Sequence, residues 1–346
     1  MQYQTLPQLD EQVSKICLGT MTWGQQNSES DAHAQMDMAL SEGVNFWDTA
    51  EMYPSPPDKD KQGDTERFMG TWFHKTKQRD KVILASKMSP MDFLREGQTR
   101  YTAEQISSAI DGNLERLQTD YIDIYQLHWP ERQANFFSQR GYNEAMAAQP
   151  LEDLTPFLET IQALNDEIKK GRIRAYGLSN DTAWGLMRYL WEADKNGLIA
   201  PITVQNPYSL LNRLYEVGMA EIAHRENVGL LAYSPLGFGV LSGKYLDGQR
   251  PAGARLTKYE RFARYTNEQA KSATAQYAKI AADAGLDMAQ MALAFVNSRS
   301  FVTSNIIGAS STDQLQSNID SINLTLSSDV LAAIEAVHTQ QPNPSP

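Results

Sequence analysis

The stretch Glu42-Gly-Val-Asn-Phe-Trp-Asp-Thr-Ala-Glu-Met-Tyr53 sets the terms for the rest of the chain. Val44 to Trp47 is a short apolar run with Gly43 just before it, the pattern of a buried strand. The run ends in a carboxylate, Asp48, and a phenol, Tyr53, lies in the segment that follows. A carboxylate at the carboxyl end of a buried strand, with a proton donor in the next loop, is where an α/β barrel carries its chemistry. Taken alone, the stretch reads equally as a capped turn with a tyrosine on the surface. The rest of the chain decides between them.

Short apolar runs recur along the chain, each ending in a polar residue or glycine, and most are followed by a segment of helical period. Strands are expected at Ile16–Leu18, Val44–Trp47, Val82–Ser86, Ile122–Leu127, Ala175–Leu178, Thr203–Gln205, Gly229–Ala232 and Asn305–Ile307. Thr102 to Leu117 is the clearest helix. Ile106, Ile110, Leu114 and Leu117 share one face, and Thr102 with Gln105 has the spacing of a capping box. Further helices are expected over about His33–Ser41, Thr65–Thr76, Phe157–Lys170, Ala183–Asn196, Leu214–Glu226, Asn267–Ala284, Met288–Asn297, Thr312–Ser321 and Asp329–His338. Eight strands alternating with helices predict an α/β fold, a single (β/α)8 TIM barrel with extra carboxyl-terminal helices. No linker divides the chain, so residues 1–346 read as one domain. Two stretches without regular period, Pro130 to Pro156 and Gly237 to Thr266, follow the fourth and seventh strands. In a barrel both rise from the catalytic face and shape its pocket. The polar, Pro-containing tail at 340–346 is expected to fray.

Composition narrows the class. The chain has 31 basic and 42 acidic residues, a net charge of −11, and no Lys/Arg run. Nucleic acid and anionic membrane are therefore not expected as main partners, and an anionic ligand needs a local positive pocket. A single cysteine, Cys17, excludes an intramolecular disulfide framework and a CxxC metal site. Its neighbours Ile16 and Leu18 suit a core position. No basic start with an apolar segment opens the chain, and no run of about 18 apolar residues occurs, so a cytoplasmic protein is expected.

Four ionisable groups stand at or just after successive strand ends: Asp48 with Tyr53, then Lys87, then His128. Each has an ordinary structural reading, as a cap, a rim ion pair or a packed imidazole. Together they make one chemical device. A free phenol has a pKa of about 10 and is a poor acid near neutrality. A lysine ammonium beside it, itself paired to Asp48, should pull that value down. A neutral His128 could orient a carbonyl oxygen for protonation by Tyr53. Such a site reduces C=O only with a bound hydride donor. The other histidines, His33, His74, His224 and His338, lie in or beside expected helices, so no metal site is expected.

At this point the residues resemble the aldo-keto reductase family, and within it the bacterial Tas-like reductases. Asp48, Tyr53, Lys87 and His128 match the family's tetrad in order and position. The wording matches as well: Leu-Gly-Thr-Met-Thr-Trp-Gly at 18–24, Asp-Thr-Ala-Glu-Met-Tyr at 48–53, and Leu-Gln-Thr-Asp-Tyr-Ile-Asp-Ile-Tyr-Gln-Leu-His at 117–128. Gly-Leu-Ser-Asn at 177–180, Gln-Asn-Pro-Tyr-Ser at 205–209 and Tyr-Ser-Pro-Leu at 233–236 continue it. The likeness runs from about residue 2 to 338.

The resemblance implies NADPH or NADP+ as cofactor, with NADH the alternative. It places Gly19, Thr20, Met21 and Asp48 near the cofactor, with Ser179, Asn180 and Gln205 on the nicotinamide carboxamide. Tyr233 would stack on the nicotinamide ring. Ser234, Leu236, Gly239, Leu241 and Lys244 match the pyrophosphate loop, with Arg255 in the same clamp. Gly308 to Asn318 matches the segment for adenine and the 2′-phosphate, where Ser310 and backbone N–H groups open a helix. The chain departs from the pattern at Gln314 and Ser317, where some relatives carry an arginine and an acid. Preference for the phosphorylated cofactor then rests on Ser310, Gln314 and Arg255. The amino-terminal hairpin around Leu9 to Val13 also lacks the family's glycines. Trp23 and Trp129 would form an aromatic wall around an aldehyde or ketone substrate beside Tyr53 and His128. A cofactor-binding regulatory or scaffold protein of the same fold is the alternative, as the family's potassium-channel β subunits imply. Oligomeric state and physiological substrate are not legible.

Overall fold

The computed structural model describes residues 1–90, 100–139, 141–142 and 144–345. Strands β1 (Tyr3–Leu6) and β2 (Glu11–Ser14) form an antiparallel hairpin with Leu6 opposite Glu11. Its turn needs no glycine, because Gln8 and Asp10 take the left-handed backbone themselves (φ 65° and 52°). Eight parallel strands then close a barrel: β3 (Ile16–Gly19), β4 (Phe46–Asp48), β5 (Ile83–Met88), β6 (Ile122–Leu127), β7 (Ile173–Ser179), β8 (Thr203–Pro207), β9 (Gly229–Tyr233) and β10 (Val302–Ile307), the last pairing with β3. Each of the eight expected barrel strands is found, with bounds shifted by up to three residues: β4 begins at Phe46 rather than Val44, and β10 at Val302 rather than Asn305.

The helices are α1 (Glu29–Ser41), α2 (Asp64–Thr76), α3 (Ala103–Leu117), α4 (Glu144–Ala148), α5 (Phe157–Lys169), α6 (Ala183–Lys195), α7 (Met219–Arg225), α8 (Arg255–Lys258), α9 (Glu268–Asp283), α10 (Met288–Asn297), α11 (Thr312–Asp320) and α12 (Ser328–Gln340). Their apolar faces pack on the outside of the barrel in one continuous core. In α3 only half of the expected capping box forms. Thr102 accepts from the Gln105 amide, but the Gln105 side chain accepts from Arg100 N instead. The helix expected over Leu214–Glu226 is broken, because Gly218 (φ 95°) separates a 3-10 turn at Leu214–Glu216 from α7. The two long loops also contain short helices, α4 in the first and α8 in the second, while residues 140 and 143 lie outside the described residues.

Two layers fill the barrel, and alternation along the strands sorts them. Cys17, Phe46, Ala85, Ile124, Ala175, Leu231 and Ile306 make an apolar layer, with Leu6 and Val13 of the hairpin in the same cluster. One step of two residues towards the carboxyl ends gives Gly19, Asp48, Lys87, Gln126, Gly177, Tyr233 and Gly308, and Gln205 joins them from β8. That layer is polar, and it carries the site. The tail expected to fray is instead docked. Ser345 N donates to Leu211 O (3.1 Å), and Asn267 Nδ2 donates to Pro344 O (2.9 Å). Among the described residues, no helix is long and apolar enough to cross a membrane.

Candidate active site

Asp48 ends β4, in register with Gly19 of β3, and its carbonyl accepts from both Thr20 N (3.2 Å) and Thr20 Oγ1 (2.9 Å). Its carboxylate, 2 % exposed, collects three donors. Lys87 Nζ lies 2.6 Å from Oδ2, while Gln126 Nε2 (3.0 Å) and Gln205 Nε2 (2.8 Å) share Oδ1. Gln205 Nε2 also donates to Gln126 Oε1 (3.1 Å), so both amides are held in one orientation. Lys87 is fully buried and gives a second bond to Thr49 O (2.7 Å). Burial works against its charge, but Asp48 and Tyr53 outweigh it and hold the ammonium above its usual range. Lys87 Nζ also lies 5.0 Å from the Tyr53 ring centroid.

Tyr53 is fixed by backbone bonds, Tyr53 N to Ala50 O (3.0 Å) and Gly63 N to its own carbonyl (2.8 Å). Here the structure corrects an expectation. Burial pushes the Tyr53 phenol above its usual value, and although Lys87 pulls the other way, it does not win. The phenol stays protonated through neutral pH. His128 stacks edge-on to Tyr53, with ring centroids 5.9 Å apart, and its Nδ1 lies 2.9 Å from Ser89 Oγ. Burial, then the Lys87 charge, hold the imidazole well below its usual pKa, so it is neutral. If Ser89 donates to Nδ1, the imidazole carries its proton on Nε2.

The expected carboxamide donors lie beside the tetrad, and two of them, Asn180 and Gln205, bond to it. Ser179 Oγ donates to Gln205 O (2.9 Å), and Asn180 Nδ2 donates to His128 O (2.8 Å). Tyr233 OH donates to Asn180 Oδ1 (2.6 Å). Asn180 and Ser234 both take left-handed backbone (φ 54° each), as residues at functional sites often do. In the loop after β9, Leu236 O accepts from Gly239 N (2.9 Å) and Leu241 N (3.1 Å). A Cβ at Gly239 would lie 2.8 Å from Lys244 Cε, so glycine (φ 92°) lets the lysine cross the loop. Burial and the neighbouring Arg255 lower the Lys244 pKa. Arg132, Arg174 and Arg213 are paired with carboxylates, whereas Lys244 and Arg255 have no such partner among the described residues. These cations suit a polyanionic ligand.

After β10, the helix cap is Ser311 rather than Ser310. Ser310 N (3.1 Å) and Ser310 Oγ (3.0 Å) both donate to Gln314 Oε1, so an acceptor oxygen already sits on the donors expected to meet a phosphate. Asn318 Nδ2 lies 3.3 Å from Gly308 O. Met21 O accepts from Ser55 N (2.9 Å), which ties the β3 loop to the Tyr53 loop.

Trp129 is where a substrate wall was expected, half-buried with its ring 4.9 Å from that of His128. Trp23 is not. Its indole is fully buried and donates to Gln35 of α1 (3.1 Å), so it supports the β3 loop from the helix layer. Sequence reasoning missed Gln126 and Ser89. Both lie two residues from a tetrad member, and alternation was the signal that could have found them. Among the described residues no cluster of His, Cys, Asp or Glu has the make-up of a metal site. A separate cavity of about 460 Å³, lined by Glu11, Asp80, Asp123 and Arg174, lies at the hairpin end, remote from the tetrad.

The model of the Aldo/keto reductase family matches residues 15–339. "Protein tas" of Escherichia coli (strain K12) is 50% identical over 350 residues, covering 100% of both chains. "Uncharacterized oxidoreductase YrpG" of Bacillus subtilis (strain 168) is 30% identical over 97% of this chain and 96% of that protein. A "Probable voltage-gated potassium channel subunit beta" of Oryza sativa subsp. japonica is 28% identical over 99% and 98%. Fold, tetrad and these matches agree: the chain belongs to the aldo/keto reductase family.

Proposed function

We propose that this single-domain barrel is an NADPH-dependent reductase of small-molecule aldehydes or ketones, with Asp48, Tyr53, Lys87 and His128 as its catalytic groups. The observation that carries this reading is the buried Lys87–Asp48 contact of 2.6 Å set beneath the Tyr53 ring and next to a neutral His128. NADPH, when bound, would supply the hydride that reduces the carbonyl carbon. Its phosphates would be held by Lys244, Arg255 and the Ser310 donors, and its carboxamide by Ser179, Asn180 and Gln205, with Tyr233 against the ring. The fit rests on Lys244 and Arg255, which have no carboxylate partner among the described residues, and on the acceptor oxygen already seated at Ser310.

The protein's own part is to hold and move a proton. His128 Nε2–H would fix the carbonyl oxygen within reach of Tyr53 OH. Because burial keeps Tyr53 protonated, the phenol has a proton to give. As negative charge develops on the carbonyl oxygen, the Lys87 ammonium stabilises the phenolate left behind, and Asp48 keeps Lys87 charged and in place. The decisive experiment is turnover of 4-nitrobenzaldehyde with NADPH by the wild type and Tyr53→Phe, alongside fluorescence titration with NADPH and NADH. Tyr53→Phe should remove at least 10²-fold of turnover, the range of general acid catalysis, and leave cofactor affinity nearly intact. Equal loss of both would refute the assigned role.

A regulatory cofactor-binding protein is the second reading, favoured by the relative whose name is a potassium channel β subunit. Cofactor binding with no more than a single turnover would select it.

A further inference from the structure

Arg264 lies in the 3-10 stretch Glu260–Tyr265 of the loop after β9. Its guanidinium sits between two aromatic rings, 5.3 Å from the centroid of Phe137 and 5.4 Å from that of Phe238. Phe137 comes from the loop after β6, so one side chain bridges the two long loops at the mouth of the barrel. From Phe137 the contacts lead inward. Its ring is 5.8 Å from Trp129, which is 4.9 Å from His128, which is 5.9 Å from Tyr53. On its other side, the guanidinium lies against the phenols of Tyr265 and of Tyr233, the latter bonded to Asn180, and through its charge and hydrogen bonding it opposes the rise in pKa that burial imposes on both.

Despite this setting, Arg264 has no carboxylate partner among the described residues, and its Nε is buried without a hydrogen-bond partner. Elsewhere in this acidic chain, arginines find acids readily. Arg132 meets Asp181, Arg172 meets Asp111 and Glu167, and Arg213 meets Glu216 and Glu335. A planar fork of donors held between rings is a good receptor for a carboxylate or phosphate. Lys244 and Arg255 already serve the cofactor's phosphates in the reading above, and Arg264 faces the Trp129 side of the mouth through Phe137.

We propose that Arg264 anchors an anionic group, carboxylate or phosphate, on the carbonyl substrate, so that the preferred substrates are acidic aldehydes or ketones. This inference rests on the reductase reading. It is tested on the full-length protein with 4-carboxybenzaldehyde and its neutral relative methyl 4-formylbenzoate. The wild type should favour the acid in kcat/KM. In Arg264→Met the acid-to-ester ratio of kcat/KM should fall about tenfold or more, mainly through KM, as expected for loss of a charge-assisted bond. Arg264→Lys should restore part of the ratio, which also covers failure of the methionine variant to fold. An unchanged ratio, whatever happens to absolute rates, makes Arg264 a clip between loops and overturns the proposal. An unchanged ratio with an NADPH Kd raised about tenfold assigns the cation to a cofactor phosphate, and again overturns it. Wild-type turnover of the ester with no preference for the acid defeats this inference alone. Turnover of neither aldehyde, with NADPH bound, defeats the reductase reading and this inference with it.

Discussion

At the scale of single residues, Gln126 has the most consequence for its modest chemistry. Its Nε2 donates to Asp48 and its Oε1 accepts from Gln205, so it fixes the orientation of the amide expected to meet the cofactor. Gln126→Leu keeps the shape and removes both bonds. We expect a cofactor affinity loss of about 1–3 kcal/mol, the usual cost of leaving a buried polar group unmatched, measured by fluorescence titration. Unchanged affinity would show that Gln205 holds its orientation without help. His128 carries a pH dependence. Its pKa in the fold is depressed below the unfolded value of about 6.5, so on acidification the unfolded chain takes up a proton that the folded chain refuses. Stability from this residue is present above about pH 6.5 and declines below it, by at most about 1.4 kcal/mol per pH unit. Denaturant unfolding between pH 7 and 5 should show a smaller decline in His128→Gln than in the wild type. The candidate tetrad was legible in the sequence because Asp48, Lys87 and His128 are ionisable groups at the ends of apolar runs, and Tyr53 follows one of them in the next loop. The sign of the Tyr53 shift was not, because it depends on how completely loops exclude water. Trp23 misled for a related reason: its flanking Thr22 and Gly24 marked a loop, and nothing in the sequence showed that the indole turns back to Gln35.

At the scale of elements, the strands were readable because a parallel barrel strand is buried on both faces and appears as a continuous apolar run. The layering inside was readable only in part, since it follows from register as well as alternation. Glycines of the polar layer show how tight that register is. A Cβ on Gly177 would lie 2.4 Å from Thr203 Oγ1 and 2.9 Å from Thr203 O, whereas one on Gly308 would meet nothing nearer than Gly19 O at 3.9 Å. Gly177→Ala should therefore destabilise the fold by about 1–3 kcal/mol, and Gly308→Ala by much less. Thermal unfolding of the two variants checks the contrast, and equal effects would mean that β7 and β8 yield more easily than their packing indicates. The short helices α4 and α8 went unread because a few residues give too little period to separate from a loop.

At the scale of the whole molecule, charge is divided unevenly. Residues 237–266 hold six basic side chains against Asp247 and Glu260, within a chain of net charge −11. Burial, and then the repulsion of the neighbouring Arg255, lower the Lys244 pKa. An anionic dinucleotide bound there would relieve the repulsion and favour the folded state by mass action, so NADPH should raise Tm. The Ser310 side supplies neutral donors, its N–H and hydroxyl, which screening by salt affects little. Most of the ionic-strength dependence should therefore come from Lys244 and Arg255. We expect NADPH affinity to weaken several-fold as salt rises from about 0.05 to 0.5 M, over which the Debye length shrinks well below 10 Å. Lys244→Met should both weaken binding and flatten the salt dependence, while Ser310→Ala should narrow the NADPH-to-NADH preference at every salt concentration. Titrations of the three proteins across that range decide the matter. A salt dependence that survives in Lys244→Met unchanged would place the anion away from this loop.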